Sequence, residues 1–549
     1  MAAAVAVLVI VVVAFAATRG GADSKTSVAN GKPVRGGTLQ FALLDAQNSP
    51  DPQLGTNYAE SIIANNIGDK LVWQDPKTGK ITPWLATSWK FNHDLTQLTF
   101  HLRRDVTFSD GTKFTSASVK ANLDQFIRGD AKLGILPNGA SLFPGYLGTD
   151  TPDEYTAVLK FKQPLASALQ AASITSNGQP VFLAASTLKL SATQRAADAT
   201  KIIGTGPFVY ESWKPQVNTV LKRREGYNWA PPAIGHKGEA YLDKVVFNTI
   251  PEASVRTGSL TSGSIDATLD VGTTDEQPLR AQGFQIITRP VSGTPLRIDL
   301  NSSLFPTNDI AVRKAFQLGW NRDTIKKTVL SSSYAIATSI LEPSVAGYVD
   351  HSSTLTYNPD EAKKLLDDDG WKPGPDGIRV KDGKKLTIKV LGVNNLVANK
   401  PAFESIQADL LKIGINLQAN VVPHQDFMAL WVNARTAWNG TAGNTSRDDP
   451  VVLNATYSPL LGNQGWLDPK SADGKKAIEV LGKLDTTLDP AARVKYAAAA
   501  QDLLVDQLAL TNPVYDATQV IAQAPYVHGI IFDAQSRNEF VDAWKSNGK

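Results

Sequence analysis

Apolar residues in this chain switch repeatedly between two spacings, every second position and every third or fourth, with only short polar breaks between. Leu98, Phe100 and Leu102 alternate with Thr99, His101 and Arg103, the period of a strand with one buried face. Val106 and Phe108 extend the pattern, and Asp110-Gly111 supplies a turn. Val119, Leu123, Phe126 and Ile127 then share one helical face. The switch recurs later. Asn358-Pro359-Asp360-Glu361 starts a helix with an N-cap, a Pro at its first position and an acid at its third, and Gly370 ends it. Asp382-Gly383 joins two short strands, the second carrying Leu386, Ile388 and Val390. Phe403, Ile406, Leu410 and Leu411 predict a helix closed by Gly414, followed by a strand through Ile415, Leu417, Ala419 and Val421. Asp489-Pro490 opens a long helix towards Leu510. Such interleaving excludes helical bundles and all-β sandwiches and predicts a mixed α/β to α+β architecture. Neither heptads nor a repeat of roughly 20–50 residues is present.

Composition narrows the chemistry. With 42% hydrophobic and 19% charged residues, the 549-residue chain is neither collagen-like nor disordered. Cysteine is absent, which excludes disulfides, Fe–S clusters, Cys-ligated zinc and thiol nucleophiles. The net charge of +3 resides in residues 1–35, where Arg19, Lys25, Lys32 and Arg35 face only Asp23; the remainder holds 51 residues of each sign. A neutral body without a basic stripe argues against nucleic acid as partner.

Residues Ala2 to Ala17 form an uninterrupted apolar run, with Ala14-Phe15-Ala16 matching a small-x-small cleavage site. Residues 1–17 are therefore expected to be a signal peptide or N-terminal anchor, and 18–35 a polar linker. No basic residue precedes the run, so the true start is expected upstream of Met1. No Cys follows it, so no lipid anchor is expected. The reading is an exported protein, periplasmic or on the outer face of the cytoplasmic membrane.

The catalytic signatures fail one by one. There is no HExxH, no GxSxG and no GxxxxGK[ST]. Gly204-Thr205-Gly206 lacks the third glycine of a dinucleotide loop, and Pro207 obstructs the helix start. Ser186-Thr187-Leu188-Lys189, Ser536-Arg537-Asn538 and Lys77-Thr78-Gly79 mimic the three elements of a penicillin-recognising enzyme in the wrong order, and the last reads as a hairpin tip. The six histidines are scattered singly, as surface or strand residues rather than metal ligands. Asp367-Asp368-Asp369 reads as a solvated helix end. No catalytic residue, metal or cofactor is expected.

Eight segments in order carry a resemblance: Gly36-Gly37-Thr38-Leu39; Asp51-Pro52; Pro83-Trp84-Leu85-Ala86-Thr87-Ser88-Trp89; Phe100-His101-Leu102-Arg103 to Phe108-Ser109-Asp110-Gly111; Gly204-Thr205-Gly206-Pro207-Phe208; Leu260-Thr261-Ser262-Gly263-Ser264-Ile265-Asp266; Val312-Arg313-Lys314-Ala315 with Asn321-Arg322; and Tyr357 to Trp371. From Gly36 onward the chain resembles family 5 extracellular solute-binding proteins, the peptide/nickel type serving ABC importers. The resemblance implies a two-lobe periplasmic-binding-protein-like clamp (class II) with mixed sheets flanked by helices. Lobe I would comprise 36–67, 204–290 and 510–549, with an extra subdomain at 68–203; lobe II would be 291–509. It implies a monomer that captures a peptide or other polar small molecule between the lobes and delivers it to an ABC permease. An exported peptide hydrolase and a non-transport surface receptor on the same fold are the competing readings.

The sequence departs from the family at its charged anchors. Where peptide-binding members carry a carboxylate after a tryptophan, this chain has Trp438-Asn439-Gly440-Thr441. The position of the arginine in dipeptide binders falls near Val393, beside Asn394 and Asn395. A buried charged terminus needs a partner, so a longer, modified or uncharged polar ligand is expected rather than a free dipeptide. The candidate contacts are Trp438 as a stacking platform; Thr441, Asn444, Asn394 and Asn395 as hydrogen-bonding groups; Asp449 as an amine partner, with a simple turn cap as its alternative; and Tyr58 on the opposite lobe. Nickel chelates have weak support, His424 being the one histidine near the expected cleft.

Overall fold

The computed structural model describes residues 31–546 except 56, 176, 177 and 233. The apolar run and the first part of the linker lie outside the described residues.

Two large mixed sheets organise the chain. The first has seven strands in the order 285–290, 518–523, 267–269, 38–43, 244–249, 218–223, 208–214. Strand Thr38–Leu43 is central and runs parallel to both neighbours. The second has six, in the order 335–336, 511–516, 293–300, 440–446, 387–393, 416–422. Within it, strand Thr387–Val393, helix Asn399–Leu411 and strand Asn416–Val422 form a parallel βαβ unit. A four-stranded antiparallel sheet over residues 86–161, flanked by helix Ser116–Arg128, packs on the first sheet and shares its apolar core.

The chain passes between the large sheets twice. Strand Gln285–Pro290 belongs to the first and Gly293–Leu300 to the second, so Val291 and Ser292 make one crossing. Strand Thr511–Asp516 pairs in the second sheet and Thr518–Gln523 in the first, so Ala517 makes the other, some way past the boundary expected at 510. Val291 N–H donates to the Ala517 carbonyl at 2.6 Å, tying the crossings together. One apolar cluster fills the first half together with the four-stranded sheet; a second fills the other half and runs across the crossings onto the first sheet through Ala42, Leu260, Leu279 and Val520; a third, largely helical one is drawn from residues 340–510.

Local signals account for most elements. Leu98, Phe100 and Leu102 are buried on strand Gln97–Leu102. The strand stops there rather than continuing through Phe108, because residues 106–114 close their own turn: Phe108 N–H donates to Thr112 O, and Gly111 sits at φ 85°. Asn358 caps helix Pro359–Asp368 by accepting from Glu361 N–H at 3.1 Å. The helix from Asp489 keeps α pitch only over Pro490–Gln501 and widens to π pitch over Asp502–Gln507. Gly204 and Gly206 serve packing rather than nucleotide binding, since a Cβ on either would lie within 2.5 Å of the Ile67 backbone. Lys77-Thr78-Gly79 forms the tip of the hairpin joining Val72–Gln74 to Ile81–Pro83, with Asp75 accepting from Lys77 and Thr78 N–H.

Candidate functional site

A cavity of about 390 Å³ lies between the two sheets, the space of roughly a dozen waters. One wall comes from the first half: Asp45 after the central strand, Asn57 and Tyr58 at the start of helix Tyr58–Ile67, Leu142, Ile174, and Arg537 from the C-terminal segment. Asn57 fixes this helix start, accepting from Glu60 N–H while its own N–H donates to the Glu60 carboxylate. The facing wall is strand Gly440–Ser446 together with Arg297, Asp299, Val393, Asn395, Gln464 and helix His424–Trp431.

The floor holds a compact ion pair. Arg297 and Asp299 alternate on strand Gly293–Leu300, 3.1 Å apart and almost wholly buried. Arg297 donates to the Tyr457 hydroxyl at 2.6 Å, and Tyr457 donates to Asp299 at 2.9 Å. Pro295 lacks an N–H for the ladder, and the register slips between Thr294 and Arg297. Thr294 Oγ1 then receives both the Thr445 N–H and the Arg297 guanidinium. Burial pushes the Asp299 carboxyl up, opposed by the charge of Arg297.

Polar contacts cross between the halves. Asn444 donates to the Tyr58 hydroxyl at 3.0 Å. Behind it runs a chain of amides: Asn395 donates to Asn444 at 3.3 Å, Asn399 to Asn395 at 2.9 Å, and the Tyr515 hydroxyl to Asn399. The guanidinium of Arg537 lies 4.1 Å from the centre of the Tyr58 ring, a cation–π arrangement. Arg447 donates to Gln170 at 2.7 Å and Gln74 to the Asp448 carbonyl at 2.6 Å. The halves are therefore closed on each other.

Four expected residues line the cavity: Tyr58, Asn395, Thr441 and Asn444. Three do not. Asn394 is exposed, its backbone N–H engaged by Val422 O. Trp438 closes the short helix Ala434–Ala437 and is half-buried outside the lining. Asp449 forms a two-point pair with Arg493 and accepts from Val451 N–H, so its charge is already used within its own half.

The spacing argument also missed residues. Asp45 lines the cavity without a Lys, Arg or His within ion-pair distance among the described residues. Burial, then the charge of Glu60, pushes its carboxyl up to about 6 against the opposing pull of Arg256. Arg447 and Arg537 also line the cavity, and each keeps one buried N–H group without an acceptor among the described residues. Charged side chains of both signs thus line the cavity, at positions other than the uncharged Thr441 and Val393. The aromatic lining comes from Phe427 and Trp431, whose rings stack at 5.6 Å, with Trp466 behind. His424, Phe427, Met428 and Trp431 sit at i, i+3, i+4 and i+7 and all four line the cavity; that spacing was readable as one helical face. Burial pulls the His424 imidazole down, and its Nε2 is buried with no hydrogen-bond partner among the described residues.

Two sheet-cored halves, two adjacent crossings and a polar cavity between them define a two-lobe clamp of the periplasmic-binding-protein type. The chain belongs to the bacterial extracellular solute-binding proteins, family 5, whose middle-region pattern matches residues 80–461. It is 28% identical over 350 residues to the nickel-binding periplasmic protein of Escherichia coli strain K12, covering 62% of this chain and 63% of that one. It is 23% identical over 471 residues to the glutathione-binding protein GsiB of Shigella flexneri serotype 5b, covering 83% and 84%. The solved structure of the ABC transporter-associated periplasmic binding protein DppA from Helicobacter pylori, in complex with the peptide STSA, shares the fold with a TM-score of 0.77 at 22% identity, over 94% of this chain and 99% of that one. The chain is thus a solute-binding protein of the ABC-importer class, a binder and not an enzyme. No helix among the described residues is long and apolar enough to cross a membrane.

Proposed function

We propose that this protein captures a short peptide or peptide-like zwitterion between its lobes, outside the cytoplasm, and delivers it to a membrane permease. The observation that carries the reading is the presence of both signs of charge around one cavity. Among the described residues, Asp45 offers a carboxylate with no ion-pair partner within the cavity wall, and Arg447 and Arg537 each keep one guanidinium N–H without an acceptor. An ammonium beside Asp45 and a carboxylate beside an arginine would each gain a charge-assisted hydrogen bond. Asn395, Thr441 and Asn444 are suited to a peptide backbone. The stacked Phe427 and Trp431 suit an apolar or aromatic side chain. Asn394, Trp438 and Asp449 are not part of this contact set.

Native mass spectrometry of the purified protein, followed by calorimetry with the peptides it retains and their N-acetylated and C-amidated forms, tests the reading. A free peptide is expected to bind, with either block lowering affinity at least roughly tenfold. Blocked and free peptides binding equally well would refute it. A second reading, capture of a metal chelate, draws on His424, which lines the same cavity, and on the similarity to the nickel-binding protein. Binding of nickel with free histidine that His424→Gln abolishes, without any peptide binding, would decide for it.

A further inference from the structure

Away from the cavity, three side chains of metal-ligand type converge on the second lobe. His351 lies in the loop that follows Gly347, and Asp502 and Asp506 lie on the π-pitch turn Asp502–Gln507. His351 Nε2 is 3.0 Å from Asp502 Oδ1 and 3.7 Å from Asp506 Oδ2, and one ligating atom from each residue falls within 4.8 Å of the other two. The imidazole is 3% exposed, whereas the carboxylates are 51% and 37% exposed and open to solvent.

The surroundings of the ring determine what it presents. Nδ1 lies 3.0 Å from the Val349 carbonyl, a group that only accepts, so Nδ1 carries the proton. Ser339 Oγ, itself anchored on Gln501, holds the ring from the same edge. In the neutral ring Nε2 then points a lone pair at two carboxylates. That arrangement is repulsive unless a proton on Nε2 or a metal cation stands between them. No Lys or Arg pairs with either carboxylate among the described residues, and one oxygen of Asp506 is buried without a hydrogen-bond partner. Zinc binds His nitrogen and carboxylate oxygen at about 2.0–2.2 Å in tetrahedral sites, which sets neighbouring ligand atoms roughly 3.4 Å apart. The separations of 3.0 and 3.7 Å straddle that value.

We propose that His351, Asp502 and Asp506 form a site for a divalent transition-metal ion of the zinc type, separate from the interlobe cavity, with its remaining position open to water. The ion would tie the end of the helix begun at Pro490 to the 347–355 loop. The Val349 carbonyl would orient the ligating ring from behind, as outer-shell acceptors do at such sites.

The test uses the full chain stripped with chelator and titrated with zinc by calorimetry and by thermal unfolding. A His424→Gln background removes the cavity histidine. One zinc per chain is expected on that background, with a rise in unfolding midpoint. Asp502→Asn/Asp506→Asn, at positions exposed enough to leave folding intact, is expected to weaken zinc at least roughly tenfold and abolish the rise. An anomalous-scattering peak at His351 in zinc-grown crystals is expected alongside. Zinc binding that disappears with His424→Gln alone, that is equal with and without the two Asp, or that is absent altogether would overturn the proposal; the last outcome would leave His351 as an imidazolium paired with its carboxylates. None of these results bears on peptide capture.

Discussion

Replacing Asp45 with Asn should move two measurable quantities in opposite directions. Asp45 is held in the cavity wall with its carboxyl raised from 3.8 to about 6, chiefly by burial and then by Glu60. That displacement corresponds to about 3 kcal/mol as an upper figure. The folded protein binds the proton more tightly than the unfolded chain does. The destabilisation is therefore absent below pH 3.8, grows between 3.8 and about 6, and is complete above 6. Asn cannot ionise, so at pH 7 the ligand-free variant should be more stable than the parent by up to ~3 kcal/mol, with the difference vanishing near pH 3.5. A ligand ammonium, in contrast, loses a charged partner worth roughly 1.5–3 kcal/mol, or about 10- to 150-fold in Kd. Urea unfolding at pH 7 and pH 3.5 reads the first effect, and calorimetry with a free peptide reads the second. For the parent protein, peptide affinity should fall by up to about tenfold per pH unit below 6 as Asp45 takes up its proton. A variant that is less stable at pH 7 yet binds peptide as tightly as the parent would refute the reasoning on both counts.

Removing Asp449 should cost stability and leave affinity alone. Asp449→Ala strands Arg493 largely buried, at about 3–5 kcal/mol, measurable by urea unfolding; a folded variant that has lost peptide binding would return Asp449 to the site. Gln170→Ala removes the acceptor of the interlobe bond from Arg447, disfavouring closure by about 1 kcal/mol and weakening ligand roughly fivefold; scattering should show a larger radius of gyration at subsaturating ligand. Gly206→Ala places a Cβ 2.5 Å from the Ile67 carbonyl carbon, and denaturant titration should show a loss of about 1–3 kcal/mol without any change in peptide affinity.

Short-range pattern was enough to place many elements. Asn358-Pro359, Asp382-Gly383 and Gly414 act within a few residues of themselves, through a cap, a turn at φ 51° and 73°, and a left-handed glycine at φ 84°. The cavity was less legible. Asp449 and Trp438 have the right chemistry, but Arg493 lies 44 positions away from Asp449, and nothing in spacing announces that pair. Asp45 and Arg447 are separated by some four hundred residues and share a cavity only because two sheets close on each other.

Taken alone, the order of residues determined the alternation of strands and helices, the neutral cysteine-free body and the family pattern, because caps, turns and apolar periodicity are written in neighbouring side chains. Tertiary structure alone decided which charges stay unpaired. Whether a carboxylate serves a ligand or a neighbouring arginine depends on burial and on partners brought together across hundreds of residues, and desolvation has no counterpart in a linear sequence.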